Sequence, residues 1–165
     1  MKLALALSIA IVAACEPYPN PLPGTNPLMG QTAPEHAITN ALGTQASPPA
    51  SVRMYLFGST WCGDCGQFLI KLDFVRDKYA SQGVTLVGIA EDEHAAEVRE
   101  ECERLETKTP MALDARMQIA AEWHVSTLPT LFVVDRHGTI RFVHTGFRGG
   151  EEVEVESEVR QLLRD

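Results

Sequence analysis

Two cysteines stand two residues apart in Trp61-Cys62-Gly63-Asp64-Cys65, directly ahead of a run with helical apolar spacing. That spacing suits two chemistries: a dithiol that closes into a small disulfide ring, or half of a zinc site. A redox pair works best where a helix opens at the first cysteine. The second sulfur is then carried close enough to bond, and the first meets unpaired backbone N–H groups and a helix dipole that favour a thiolate. Zinc needs a second ligand pair. Cys102 has no cysteine companion for that role, and His36, His94, His124, His137 and His144 are scattered. No metal and no other cofactor is expected.

The elements that must hold this pair follow from periodicity. Val52 to Phe57 is short, apolar and rich in strand formers, and it leads into the cysteines. Phe68, Leu72, Val75 and Tyr79 then recur at helical spacing, so one amphipathic helix is expected from Cys62 to about Ala80, closed by Gly83. Val84 to Ala90 reads as a second buried strand and Glu91 to Glu106 as an acidic surface helix carrying Cys102. Met111 to Leu113 reads as a short strand, and Asp114 can cap a helix running to Trp123. Thr130 to Val134 and Thr139 to His144 form a hairpin around Asp135-Arg136-His137-Gly138. A last helix spans Glu151 to Leu163. Ala37 to Ala41 reads as an edge strand, and Ser47-Pro48-Pro49 as a turn. Alternating strands and helices that end in a hairpin and helix give an α/β fold, a mixed central β-sheet flanked by helices.

The chain has 165 residues, enough for one domain plus tails, and 45% hydrophobic residues can build its core. With 22 acidic against 14 basic side chains the formal charge is −8. No basic stripe is present, so nucleic acid is not an expected partner. Met1-Lys2 followed by apolar residues to Ala14 is too short to cross a bilayer, which takes about 20 residues, and reads as a signal peptide over 1–14. Val12-Ala13-Ala14-Cys15 resembles a bacterial lipobox, with Cys15 as the lipidated first residue of the mature chain. Residues 15–34 carry six prolines, from Pro17 to Pro34, and read as an extended tether. The domain itself is expected over 35–165, outside the cytoplasm, lipid-anchored to a bacterial membrane on its periplasmic side. There a CxxC has no glutathione pool to keep it reduced. A membrane electron donor is therefore an expected partner if it works as a reductant.

Three stretches in the right order resemble the thioredoxin superfamily, specifically its extracytoplasmic TlpA/ResA-like thiol–disulfide oxidoreductases. Gly30-Gln31-Thr32-Ala33-Pro34 is similar to the opening G-x-x-A-P of that branch and of peroxiredoxins. Ser59 to Cys65 is similar to its active-site loop. Val125-Ser126-Thr127-Leu128-Pro129, followed by the strand to Asp135, is similar to its cis-proline strand. The resemblance implies a thioredoxin-like fold with Cys62 and Cys65 as the catalytic, redox-active disulfide pair. It implies a cis Pro129 beside them, support from Trp61, Gly63 and Asp64, and protein disulfide or dithiol substrates lying along Thr127 and Leu128. Cys62 would attack and Cys65 would resolve the mixed disulfide.

Two departures from that pattern matter. Gly63-Asp64 stands where thioredoxins commonly have Gly-Pro. An anion about 6 Å from a sulfur opposes the thiolate by about 0.7 kcal/mol in water-like surroundings and about 2.8 at an effective dielectric of 20. A less stable thiolate lowers the reduction potential, which points to a reductant. Secondly, neither Met54-Tyr55-Leu56-Phe57 before the motif nor Gly66-Gln67-Phe68-Leu69 after it offers the buried carboxylate usual in this superfamily. A thiol peroxidase is the rival enzyme, although Ser59 stands where peroxiredoxins place threonine. A non-catalytic binding module of the same fold is the rival from another class.

Overall fold

The computed structural model describes residues 26–43 and 50–165. The signal peptide, Cys15, most of the tether and the Ser47-Pro48-Pro49 turn lie outside the described residues. Five strands form one mixed sheet in the order β3-β2-β1-β4-β5: β1 Val52–Gly58, β2 Val84–Ala90, β3 Met111–Leu113, β4 Thr130–Val134 and β5 Ile140–Thr145. β1, β2 and β3 run parallel, whereas β4 is antiparallel to both β1 and β5. Five helices accompany them: α1 His36–Leu42, α2 Cys65–Tyr79, α3 Ala95–Arg104, α4 Gln118–Glu122 and α5 Glu151–Leu162.

Both faces of the sheet are covered, which is why β1, β2 and β4 read as nearly unbroken apolar runs rather than alternating ones. Val52, Met54, Leu56, Leu131 and Val133 face α2 and α5, meeting Phe68, Leu72, Val75, Val155 and Val159. Tyr55, Phe57, Phe132 and Val134 face the other way, against Ile38 of α1, Ile119 of α4 and Trp123. Each fully buried Leu, Val or Phe contributes about 1.5–3 kcal/mol. Two ion pairs, Lys71–Glu152 at 3.5 Å and Lys78–Glu156 at 2.8 Å, stitch α2 to α5. Behind them His144 is buried between Glu151 at 3.1 Å and Glu158 at 2.9 Å, fixing α5 to β5.

Four elements differ from the sequence expectation. Residues 37–41 lie in the helix α1, not an edge strand. Ile38 and Leu42 are its buried residues, one turn apart, and so short an apolar segment is ambiguous by periodicity alone. Helix α2 begins at Cys65, three residues later than expected, because Ser59 to Cys65 is spent on turns: Cys62 N–H donates to Ser59 O and Cys65 N–H to Cys62 O. It ends at Tyr79, followed by a 3-10 turn over Ala80–Gln82. Helix α3 is shorter than Glu91 to Glu106, since Glu91 N–H still donates to Gly58 O at 2.9 Å and continues the sheet. Finally, residues 26–34, expected in the tether, lie on the domain. Gly30 N–H donates to Ile140 O, Ile140 N–H to Gln31 O and Ala33 N–H to Gly138 O, while the Asn26 amide reaches Trp123 O at 3.0 Å. Part of the free edge of β5 is thereby covered, which keeps its backbone groups from pairing elsewhere.

Candidate active site

The parallel strands deliver the chemistry to one edge of the sheet. β1 ends at Gly58 opposite Ala90, the last residue of β2, and Phe57 pairs with Thr130, the first residue of β4. The cysteine loop, the start of the α3 connection and Pro129 therefore converge beyond the carboxyl ends of the parallel strands, where α/β sheets open crevices.

Cys62 and Cys65 are joined in a disulfide with their Cα atoms 5.4 Å apart. Cys65 is 5% exposed and is the first residue of α2, whereas Cys62 is half-buried ahead of the helix. Of the two sulfur-bearing residues, Cys62 is the more accessible to a partner. The end of β1 approaches Cys65 closely, since a Cβ on Gly58 would lie 3.3 Å from Cys65 Sγ. Trp61 is 71% exposed and projects beside the pair instead of packing in the core. Asp64 caps α2 without any side-chain hydrogen bond, and it shares an open groove with Trp61, Cys62 and Gly63. The same groove is lined by Val125, Ser126, Thr127 and Leu128, and by Met117 and Glu91. The Leu128–Pro129 bond is cis. Pro129 O accepts from Gly146 N–H at 2.8 Å, and Thr130 Oγ1 donates to Thr127 O at 2.7 Å, which fixes this wall.

Three residues of this edge were not singled out from sequence. Asp92, 2% exposed, accepts from Thr60 N–H at 3.1 Å and from Thr60 Oγ1 at 2.6 Å, clamping the cysteine loop to the end of β2. Glu91 places Oε1 in a buried position with no hydrogen-bond partner. Burial, with Asp114 and Asp92 adding to it, raises its carboxyl above the usual range. Met117 is exposed at a left-handed backbone position ahead of α4. The available signal was the acidic run Glu91-Asp92-Glu93 directly after a buried strand. The expected shortage of a carboxylate near the cysteines holds for the motif itself, but the neighbouring strand supplies two. Asp114 is not the N-cap of α4, which is Met117 with the helix starting at Gln118, but its carboxylate accepts from Gln118 N–H and Ala120 N–H, each at 2.8 Å.

Cys102 is half-buried on α3, behind the site. With Cys65, Asp92 and Met111 it lines a cavity of about 40 Å³. Burial, then Glu101 and Asp73, pushes its thiol up, which keeps it neutral and unreactive. Among the described residues no group of three or more His, Cys, Asp or Glu side chains could hold a metal ion.

The AhpC/TSA family profile matches residues 29–143, well over half of the chain. The chain is 27% identical over 129 residues to the thiol-disulfide oxidoreductase ResA of Geobacillus kaustophilus, covering 76% of this chain and 74% of that one. Among solved structures it resembles a candidate thiol:disulfide interchange protein DsbE from Chlorobium tepidum, with a TM-score of 0.67 and 25% identity over 70% of this chain and 82% of that one. It also resembles a thioredoxin-like protein of Porphyromonas gingivalis, with a TM-score of 0.63 and 26% identity over 73% and 80%. With a reachable Cys62, a buried Cys65 and a cis-proline wall on a mixed thioredoxin-type sheet, the chain belongs to the AhpC/TSA family and is a thiol–disulfide oxidoreductase of the ResA/DsbE type.

Proposed function

We propose that this oxidoreductase acts outside the cytoplasm as a lipid-anchored reductant of protein disulfides. The observation that carries the direction is the make-up of the groove. Asp64 and Glu91 line it together with Cys62, and among the described residues no lysine, arginine or histidine does. A thiolate at Cys62 gains no neighbouring cation there and meets the acidic side chain of Asp64 instead, which disfavours the dithiol state relative to the disulfide and lowers the potential. Thr127 and Leu128, on the wall facing Cys62, supply backbone for an extended substrate segment, and exposed Trp61 and Met117 supply apolar contact. Cys15 would hold the domain to the membrane through residues 16–25, with a membrane partner returning electrons to the disulfide. Among the described residues no helix is long and apolar enough to cross a membrane.

The test is the reduction potential of the full chain, measured by equilibration in thiol redox buffers. A value well below about −200 mV supports a reductant. A value near −120 mV, that of a strong periplasmic oxidant, would overturn the direction. Lipid labelling of wild type and Cys15→Ser tests the anchor, and label retained in the variant refutes it.

A further inference from the structure

We propose that Glu91 is the proton-carrying group of the redox centre: its carboxyl supplies a proton to the sulfur leaving the groove and takes one back when Cys65 resolves the mixed disulfide. This rests on the reading of the domain as a disulfide reductant. Placement comes first. Glu91 continues β2 by one residue, and its N–H donates to the carbonyl of Gly58, where an added Cβ would lie 3.2 Å from Cys65 Cβ. Its side chain lines the groove that contains Cys62. No other residue of the motif region offers a buried carboxyl, since Leu56 and Phe57 precede the loop, Gly66 and Gln67 follow Cys65, and Asp64 within the motif is exposed.

Chemistry comes second. Glu91 Oε1 is buried and has no partner. An unpaired carboxylate oxygen in that position is costly, whereas a protonated carboxyl carries no charge to desolvate and has an O–H to give. Among the carboxyl groups with buried oxygens at this end of the sheet, Glu91 is the one not already committed. Asp92 is committed to Thr60, and Asp114 is committed to Gln118 and Ala120. Asp64 lines the same groove from the start of α2 but is exposed to solvent, and Cys62 completes the set.

The steps balance. In the reduced enzyme Cys62 is a thiolate, Cys65 a thiol and Glu91 protonated. Cys62 Sγ attacks a substrate disulfide; the new bond is Cys62–S–substrate, and the departing substrate sulfur takes the Glu91 proton. Glu91, now a carboxylate, accepts the Cys65 proton. Cys65 Sγ then displaces the remaining substrate sulfur from Cys62 as a thiolate. The Cys62–Cys65 pair is oxidised by two electrons, the substrate disulfide is reduced by two, and Glu91 ends protonated as it began.

The experiment is the pH profile of single-turnover reduction of a disulfide-containing peptide by the reduced full chain, comparing wild type, Glu91→Gln and Cys62→Ser. Glu91→Gln keeps shape and hydrogen-bonding reach but cannot exchange a proton. It is expected to lower the rate on the order of 10²-fold and to remove the carboxyl inflection from the profile. A wild-type rate and profile in Glu91→Gln, with Cys62→Ser inactive, overturns the role of Glu91 and leaves the enzyme reading intact. Equal rates in wild type and Cys62→Ser overturn the enzyme reading, and the proposal with it. Should Glu91→Gln fail to fold, carbon NMR titration of the Glu91 carboxyl in unmutated protein decides. Its midpoint is expected to rise on reduction, when a thiolate appears nearby. The same midpoint in the oxidised and reduced protein refutes the proposal.

Discussion

Asp92 holds Thr60 by both its backbone N–H and its hydroxyl, across 32 residues of sequence. The clamp joins the end of β2 to the loop that carries Trp61 and Cys62, and the carboxylate is almost fully buried. Removing it in Asp92→Ala leaves two donors without their partner, at a cost of about 1–3 kcal/mol. Urea unfolding should show that loss. Disulfide reduction should fall by more than the stability change alone explains, because the loop geometry relaxes. An unchanged rate in the folded variant would show that the loop does not depend on this anchor.

Gly58 is tested by adding one methyl group. In Gly58→Ala the new carbon would sit 3.2 Å from Cys65 Cβ and 3.3 Å from its Sγ, so Cys65 must give by a few tenths of an ångström. Such a displacement of a reacting atom is expected to slow resolution of the mixed disulfide several-fold. The attack by Cys62 should change less. Quenched-flow trapping of the mixed disulfide should show it accumulating, and absence of accumulation counts against a tight fit between Gly58 and Cys65.

His144 makes stability depend on pH. Burial works to lower its pKa, but the hydrogen bonds and charges of Glu158 and then Glu151 outweigh it, so its pKa is raised. A group whose folded pKa lies above its unfolded value of about 6.5 stabilises the fold fully below that value and loses the contribution as pH rises through the folded pKa. The urea midpoint of wild type should therefore decline as pH rises above about 6.5, and His144→Gln should flatten this part of the curve. A midpoint in wild type that does not decline there would contradict a charged His144 between the two glutamates.

Cys102 is expected to be a bystander. Its thiol is half-buried and its pKa raised, so at neutral pH iodoacetamide should modify reduced Cys62 far faster than Cys102. Cys102→Ala should leave the rate of disulfide reduction within about twofold of wild type and cost about 1 kcal/mol of stability. Rapid labelling of Cys102 in folded protein would contradict its burial.

What the sequence determined by itself was whatever is written locally. Cys62 and Cys65 need only their spacing and the strand and helix on either side. β1, β2 and β4 are unbroken apolar runs because both of their faces are covered, and the hairpin is marked by Asp135 and Gly138. The ends of elements were less legible. The start of α2 depends on whether Ser59 to Cys65 forms turns, and α1 was too short for its two buried residues to reveal a period. Tertiary structure alone decided which carboxyl groups gather at this end of the sheet. Glu91 and Asp92 follow β2, and Asp114 follows β3. They come together because parallel pairing sets Gly58 beside Ala90, while Asp114 N–H donates to Ala90 O at 2.8 Å. No local pattern records that register, because it is fixed by which hydrophobic faces bury together. The same register leaves Glu91 Oε1 buried and unpartnered, with Glu91 on the groove that contains Cys62, where the one acid of the motif, Asp64, is exposed.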